Sequence, residues 1–161
     1  MKRSNSAKSK KVGIISDTHG LLRREVEDGL AGCDHILHAG DVGNGQILER
    51  LASVAPLTAV RGNMDYGSWS NSLPASEMVV IDGLFFYILH DLHRLDLDPS
   101  AAGIHMVVSG HTHQPDMFRE NGVIFLNPGS AGPRRFNYPV SFAEVRIEND
   151  KMLPKIIELE L

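Results

Sequence analysis

Short apolar runs that stop at a polar residue recur along this chain, and the elements between them change from its first half to its second. Residues 12–16 make one such run and predict a buried strand. Leu21, Leu22, Val26 and Leu30 then recur near helical spacing, with Arg23, Arg24, Glu25, Glu27 and Asp28 between them, and predict a helix over 21–30. Residues 36–39 predict a second strand. Residues 45–54, with Ile47, Leu48 and Leu51 on one side, predict a second helix, and 57–60 a third strand. Parallel neighbours need crossover helices, so this order points to a parallel sheet. The second half reads as strands: 78–81 and 84–89 around Asp82-Gly83, 106–108 alone, and 117–120 and 123–126 around Asn121-Gly122. Residues 141–147 and 152–159 follow, joined by Glu148-Asn149-Asp150-Lys151, and a short helix is expected over 99–102. The expected fold class is α/β, two mixed β-sheets packed face to face with helices outside.

Length and composition narrow the partners. The chain has 161 residues, 42% of them apolar and 22% charged, an ordinary single-domain balance. A net charge of -4 gives no overall attraction to nucleic acid, which is not favoured as a partner. One cysteine, Cys33, cannot close an internal disulfide; it reads as a buried structural thiol in a reducing compartment. Residues 1–10 are basic and polar and read as a flexible tail, leaving 11–161 as the domain. No run is long enough to span a membrane, so no membrane partner is expected and the default location is cytoplasmic.

The chemistry lies where the strands end. Asp17 and His19 follow the first strand, Gly40-Asp41 the second and Gly62-Asn63 the third. His90 follows 84–89, and Gly110-His111-Thr112-His113 follows 106–108. Ligands of open α/β sheets bind beyond the carboxyl ends of strands, where residues distant in sequence converge. Each element alone has an ordinary reading: a helix cap for Asp17, turns for Asp41 and Asn63, a satisfied core histidine for His90. Five strand ends in succession carrying carboxylate, amide or imidazole do not fit those roles jointly. Two carboxylates, an amide and four imidazoles form an N/O donor set suited to Mn, Fe, Ni, Co or Zn. Seven ligands exceed one tetrahedral ion and fit two that share a carboxylate. In extended backbone, residues i and i+2 share a side, which would bring Asp17 to His19 and His111 to His113. The glycines at 40, 62 and 110 are expected to let the backbone turn sharply there.

These segments resemble the calcineurin-like metallophosphoesterase superfamily, which carries Asp-x-His, Gly-Asp, Gly-Asn-x-Asp/Glu, a lone His and Gly-His-x-His in this order. The resemblance runs from Val12 to about Pro139. The short chain and Asn127-Pro128-Gly129-Ser130 resemble the small bacterial and archaeal phosphodiesterase branch. It implies an αββα sandwich and two divalent transition-metal ions, manganese first. Asp17, His19 and His113 would hold one ion, Asn63, His90 and His111 the other, and Asp41 would bridge them. The implied activity is hydrolysis of a small phosphate ester, a phosphodiester above all, by hydroxide activated between the two ions.

Two departures qualify that expectation. Many superfamily members place a histidine directly after the metal-binding Asn, thought to protonate the leaving group; here Met64 stands there, and a thioether carries no proton. After His90, where glycine is common, the chain reads Asp91-Leu92-His93. His93 is a candidate to replace the missing acid or contact substrate, against the alternative of a solvated loop residue. Arg134 and Arg135 are candidates to hold phosphate oxygens, against the alternative of surface charge. Asn63 would also face substrate. The rival function is a non-catalytic or weakly catalytic metal-binding scaffold of the same fold, as the retromer cargo-sorting subunit resembles; the seven filled positions favour the enzyme. Tyr66, Trp69, Phe136 and Tyr138 offer either a homo-oligomer surface or packing beneath loops.

Overall fold

The structure, a computed structural model, describes residues 9–161. Most of the expected basic tail therefore lies outside the described residues, while Lys10 already belongs to the first strand. That strand, β1, is Lys10–Ile15. It is followed by α1 (Arg24–Leu30), β2 (His35–His38), α2 (Gly45–Val54) and β3 (Leu57–Ala59). The strand-rich half contributes β4 (Ser76–Ile81), β5 (Leu84–Leu89), β6 (Met106–Val108), β7 (Asp116–Glu120), β8 (Val123–Asn127), β9 (Ser141–Glu148) and β10 (Lys151–Glu158).

These form two mixed five-stranded sheets, ordered β10-β9-β1-β2-β3 and β4-β5-β6-β8-β7. Within the first, β1, β2 and β3 run parallel, and within the second so do β5, β6 and β8. The two-residue hairpins fall where expected, with positive φ at Asp82-Gly83 (53° and 84°) and at Asn121-Gly122 (51° and 81°). Pro154 lies on β10, an edge strand, where its missing N–H leaves no central ladder bond unmade.

Alternation along the strands builds the layers. Val12, Ile14, Leu37, Val145 and Ile147 from one sheet meet Phe86, Ile88, Met106, Val108 and Leu126 from the other in one buried cluster. Each such side chain contributes about 1.5–3 kcal/mol by burial. Removing the Phe86 ring, which is fully buried, would cost about 3–5 kcal/mol and loosen the platform beneath the strand ends. The alternate positions Ile15 and Ile36 face outward, onto Val26 and Leu30 of α1 and Ile47 and Leu51 of α2. Cys33 packs in this layer and burial pushes its thiol up, as a structural cysteine requires.

The two-sheet α/β architecture is the expected one, but both α-helices cover the first sheet. Over the second, Leu92, Leu95, Leu97 and Ile104 of the β5–β6 connection pack on Leu89, Val107 and Phe125. The helix expected at 99–102 is replaced by hydrogen-bonded turns. Asp98 Oδ1 accepts from Ser100 N and Ala101 N, Ile104 N returns to Pro99 O (2.9 Å), and Gly103 with φ 78° ends the turn. Trp69 packs against the helical layer, so of the four loop aromatics only Tyr66 and Phe136 stand fully exposed.

Candidate metal centre

The parallel strands of both sheets deliver their following loops to one edge. Asp17, Asp41 and Asn63 come from beyond β1, β2 and β3, and His90 and His111 from beyond β5 and β6. The segment after β1 does not enter its helix at residue 21 because its backbone is already committed. Asp17 N donates to Gly40 O (3.0 Å), His19 N to Asp41 O (2.9 Å) and Gly20 N to Val42 O (2.8 Å). These bonds lash the 17–20 loop to the 40–42 loop and defer α1 to Arg24.

Convergence of the i and i+2 pairs has a different origin from the extended backbone expected. Asp17, His19, Asp41, His111 and His113 all have positive φ, between 46° and 76°. Among the described residues the other non-glycine positions of this kind are four hairpin-turn residues and Phe136. Left-handed backbone at ordinary side chains costs about 1–3 kcal/mol and collects at functional sites. The glycine expectation needs the same refinement. Gly40 takes a positive φ of 102°, but Gly62 and Gly110 do not; a Cβ there would strike the Asp41 carboxylate, or Ser16 and Asp17.

Each carboxylate has one oxygen pinned by protein donors and one left over. Asp17 Oδ2 accepts from Ser16 Oγ (2.6 Å) and His111 N (3.1 Å). Asp17 Oδ1 has no hydrogen-bond donor and lies 3.6 Å from His19 Nε2, 3.4 Å from His113 Nε2 and 4.0 Å from His90 Nε2. Asp41 Oδ1 accepts from Met64 N (2.9 Å), while its Oδ2 lies 3.6 Å from His19 Nε2 and 3.2 Å from His90 Nε2. His90 Nδ1 meets Ala39 O at 2.8 Å, and a carbonyl accepts only, so this nitrogen carries the proton and Nε2 faces the carboxylates.

Two compact groups result: Asp17, His19 and His113, and Asp17, Asp41 and His90. Asp17 is common to both, and Asp41 Oδ2 also reaches histidines of both. Asn63 and His111 join His90 in lining a cavity of about 580 Å³, and the His111 and His90 rings meet edge-on at 5.2 Å.

Burial pushes the carboxyl of Asp17 up, but His19, His90, Ser16 and His113 outweigh it and hold the carboxyl below its usual range. Asp41 is lowered likewise, burial being outweighed by His90, Met64 N and His19. Burial opposes charge on His90, yet Asp41 and Asp17 raise it. His113 is lowered by burial, with Arg135 and His19 adding to the effect. Carboxylate oxygens and imidazole nitrogens thus face one another at 3.2–4.0 Å. Asp17 Oδ1, His90 Nε2 and His113 Nδ1 are buried without a partner. Protons or cations must fill that space, and an all N/O donor set of this kind fits divalent transition metals.

Several supporting residues were not assigned a role from the sequence, although Asp65 closes the Gly-Asn-x-Asp/Glu segment. His38 is fully buried; Gly40 N donates to its Nδ1, so Nε2 carries the proton toward Thr18 Oγ1 (3.0 Å), which donates to Val42 O (2.7 Å). Asp65 binds Val42 N, Gly43 N and Gly62 N, fastening the Asp41 loop to the Asn63 loop. Asn127 Nδ2 donates to Gly110 O (3.0 Å) and Thr112 Oγ1 (3.1 Å), and Ser130 Oγ to Asp17 O (3.1 Å). The readable trace of that buttress is the Asn127-Pro128-Gly129-Ser130 turn itself. Arg134 Nε is engaged with Tyr138 O (3.3 Å), and it is Arg135 whose charge bears on His113. His93 is exposed and lines a separate cavity of about 260 Å³ with Thr112 and Asn127.

The chain and its fold have counterparts among known proteins. The calcineurin-like phosphoesterase superfamily domain matches residues 11–150, and the chain belongs to that superfamily, whose members use divalent metal ions. It is 33% identical to a probable metallophosphoesterase of Methanocaldococcus jannaschii, over 92% of this chain and 81% of that one. It is 28% identical to a phosphodiesterase of the same organism, over 74% of this chain and 82% of that one. The structure is also similar to Vacuolar Protein Sorting 29 from Cryptosporidium parvum, with a TM-score of 0.76 and 20% identity over 95% and 99% of the two chains, a likeness of fold alone. Among the described residues no helix is long and apolar enough to cross a membrane.

Proposed function

We propose that the chain is a metal-dependent phosphodiesterase acting on a small phosphate ester. The observation that carries this reading is the set of buried, partnerless donor atoms around Asp17 Oδ1 and His90 Nε2. Asp17, His19 and His113 would hold one divalent ion, and Asn63, His90 and His111 a second, with Asp41 shared between them; manganese is the first expectation. When bound, such ions supply Lewis acidity toward phosphoryl oxygens and make water a better nucleophile.

The protein's own contribution is orientation. Ser16 Oγ and His111 N hold Asp17, Met64 N holds Asp41, and Ala39 O fixes the His90 tautomer, so no ligand need reorganise during reaction. Asn63 lines the cavity, where its amide would donate to a phosphoryl oxygen. Met64 offers no proton, so esters whose leaving groups need little protonation should react best. The diesterase preference is supported by this and by the phosphodiesterase among the relatives.

The test is elemental analysis after manganese reconstitution, followed by turnover of bis(4-nitrophenyl) phosphate and 4-nitrophenyl phosphate. Two ions per chain and faster turnover of the diester are expected. Ion binding without turnover of either ester would favour the scaffold reading instead.

A further inference from the structure

The cavity shared by Asn63, His90 and His111 extends well past the candidate metal centre. Its other walls include Arg61, Arg94 and Tyr87. Arg61 is fixed at its backbone by Arg61 N to Pro74 O (2.8 Å), and Arg94 by Arg94 N to Asp91 O (3.0 Å) in the 3-10 turn Leu92–Arg94. Both side chains are exposed. Among the described residues neither guanidinium has an ion-pair partner, whereas Arg50 and Lys11 are each within 4.0 Å of a glutamate. Two acids share the walls. Asp91 is engaged through Oδ1 with His93 N (3.0 Å), and Asp96 remains as an acceptor. A cavity of about 580 Å³ lies within the ordinary range for small-molecule sites, about 300–1,000 Å³, and exceeds what a lone phosphate fills.

We propose that Arg61 and Arg94 form an anion-binding arm that selects phosphodiesters carrying a second negatively charged group. This rests on the phosphoesterase reading of the adjoining centre. With the scissile phosphate at Asn63, His90 and His111, the rest of the substrate lies along the cavity toward Tyr87, Arg61 and Arg94. A planar guanidinium with five donors matches a carboxylate or phosphate by paired bonds, and two of them converging on one cavity favour an anionic terminus over a neutral or cationic one. Asp96 disfavours an anion at its own corner.

The probes share one leaving group: 4-nitrophenyl phosphodiesters whose second arm is phenyl, 3-carboxyphenyl, 3-phosphonophenyl or choline. Their non-hydrolysable phosphonate counterparts are titrated calorimetrically into the manganese-loaded protein. The expected result is binding of an anionic-arm analogue about tenfold or more tighter than the phenyl analogue, with the choline analogue weakest. The carboxylate and phosphonate arms show which anion is preferred. In Arg61→Gln/Arg94→Gln the preference should fall to near unity while metal content is kept. The same ranking should appear in KM rather than kcat. Equal binding of all arms, or a preference that survives the double variant, overturns the proposal. Binding does not depend on turnover, so an anionic preference without hydrolysis supports the arm and counts against the hydrolytic reading alone.

Discussion

The floor and the rim of the candidate centre are built on opposite plans. On the floor, Asp17, Asp41, His90 and His113 are at most 5% exposed, and the second atoms of the first three are held from other strand ends by His111 N, Met64 N and Ala39 O. On the rim, His93, Arg134, Arg135 and Phe136 are exposed, and the contacts around Arg134 stay within its own loop. The floor offsets the cost of left-handed backbone at Asp17, Asp41 and His113 with hydrogen bonds that tie its loops together, so its donor atoms are set before any ion or substrate arrives. The rim invests nothing comparable and is free to adapt to the substrate. Substitutions should therefore have steep effects on the floor and shallow ones on the rim.

Asp41→Asn gives the largest expected effect. The amide oxygen can still accept from Met64 N, so the loop is preserved, but the free charged oxygen facing His19 and His90 is gone. Metal content measured by elemental analysis should fall below one ion per chain, and diester turnover by about 10³-fold or more. Full metal content in a folded variant would remove Asp41 from the centre.

One step out, Asn127→Ala cuts the donors to Gly110 O and Thr112 Oγ1 and the acceptor for Gly129 N, without touching a donor of the metal set. Loss of such a support typically costs about 10–100-fold in metal affinity. A manganese titration followed by competition with a chelator measures it. Affinity unchanged within error would mean that the His111–His113 loop holds its left-handed shape unaided.

The same contrast explains what the sequence disclosed. Strand runs, Asp-Gly and Asn-Gly hairpins and the helix at 45–54 follow from local pattern and were readable in place. The meeting of Asp17, Asp41 and His90 was readable because a polar residue directly after a buried strand has few other places to go. The start of α1 was not, since nothing in Leu21 or Leu22 reveals that the 17–20 backbone is bonded to the 40–42 loop. His38 sits inside a strand that reads as wholly apolar but for it, and its role depends on Thr18 and Gly40, which only the fold brings near. The rim was the least legible: His93 lies three residues from His90 in sequence and lines a different cavity.

His38 also supplies a pH test of how tightly the floor is closed. Burial pushes its pKa down to about 4 from 6.5, the nearby Asp17 and Asp65 only partly opposing. The unfolded chain takes up this proton near pH 6.5 and the folded chain does not until near pH 4, so the contribution is fully present above about 6.5 and is lost as pH falls toward 4. The loss amounts to about 3 kcal/mol at most. In chelator-treated protein, His38→Gln should be less stable than the parent at pH 7, with a gap that narrows as pH falls from 6.5 to 4, read from urea midpoints. A gap constant with pH would mean that His38 titrates alike in the folded and the unfolded chain.

The smallest effect belongs to the rim, at His93. Its N–H is capped by Asp91 Oδ1, and its ring borders the cavity of Thr112 and Asn127, while Asn63, His90 and His111 open on another. Proton donation in the transition state needs hydrogen-bond reach to the leaving oxygen, and a residue supplying it is worth about 10²–10⁴-fold on esters with poor leaving groups. From its place in the fold, His93→Ala should keep its metal and slow aryl diesters of low and high leaving-group pKa by the same small factor, about twofold or less. A Brønsted plot over substituted phenols measures this. Parallel lines for parent and variant would leave the leaving group to depart unassisted or with a proton from water, which is the preference Met64 implies. A steeper line for the variant, with poor leaving groups slowed far more than good ones, would place the imidazole at the reacting oxygen and require the β5–β6 connection to move when substrate binds.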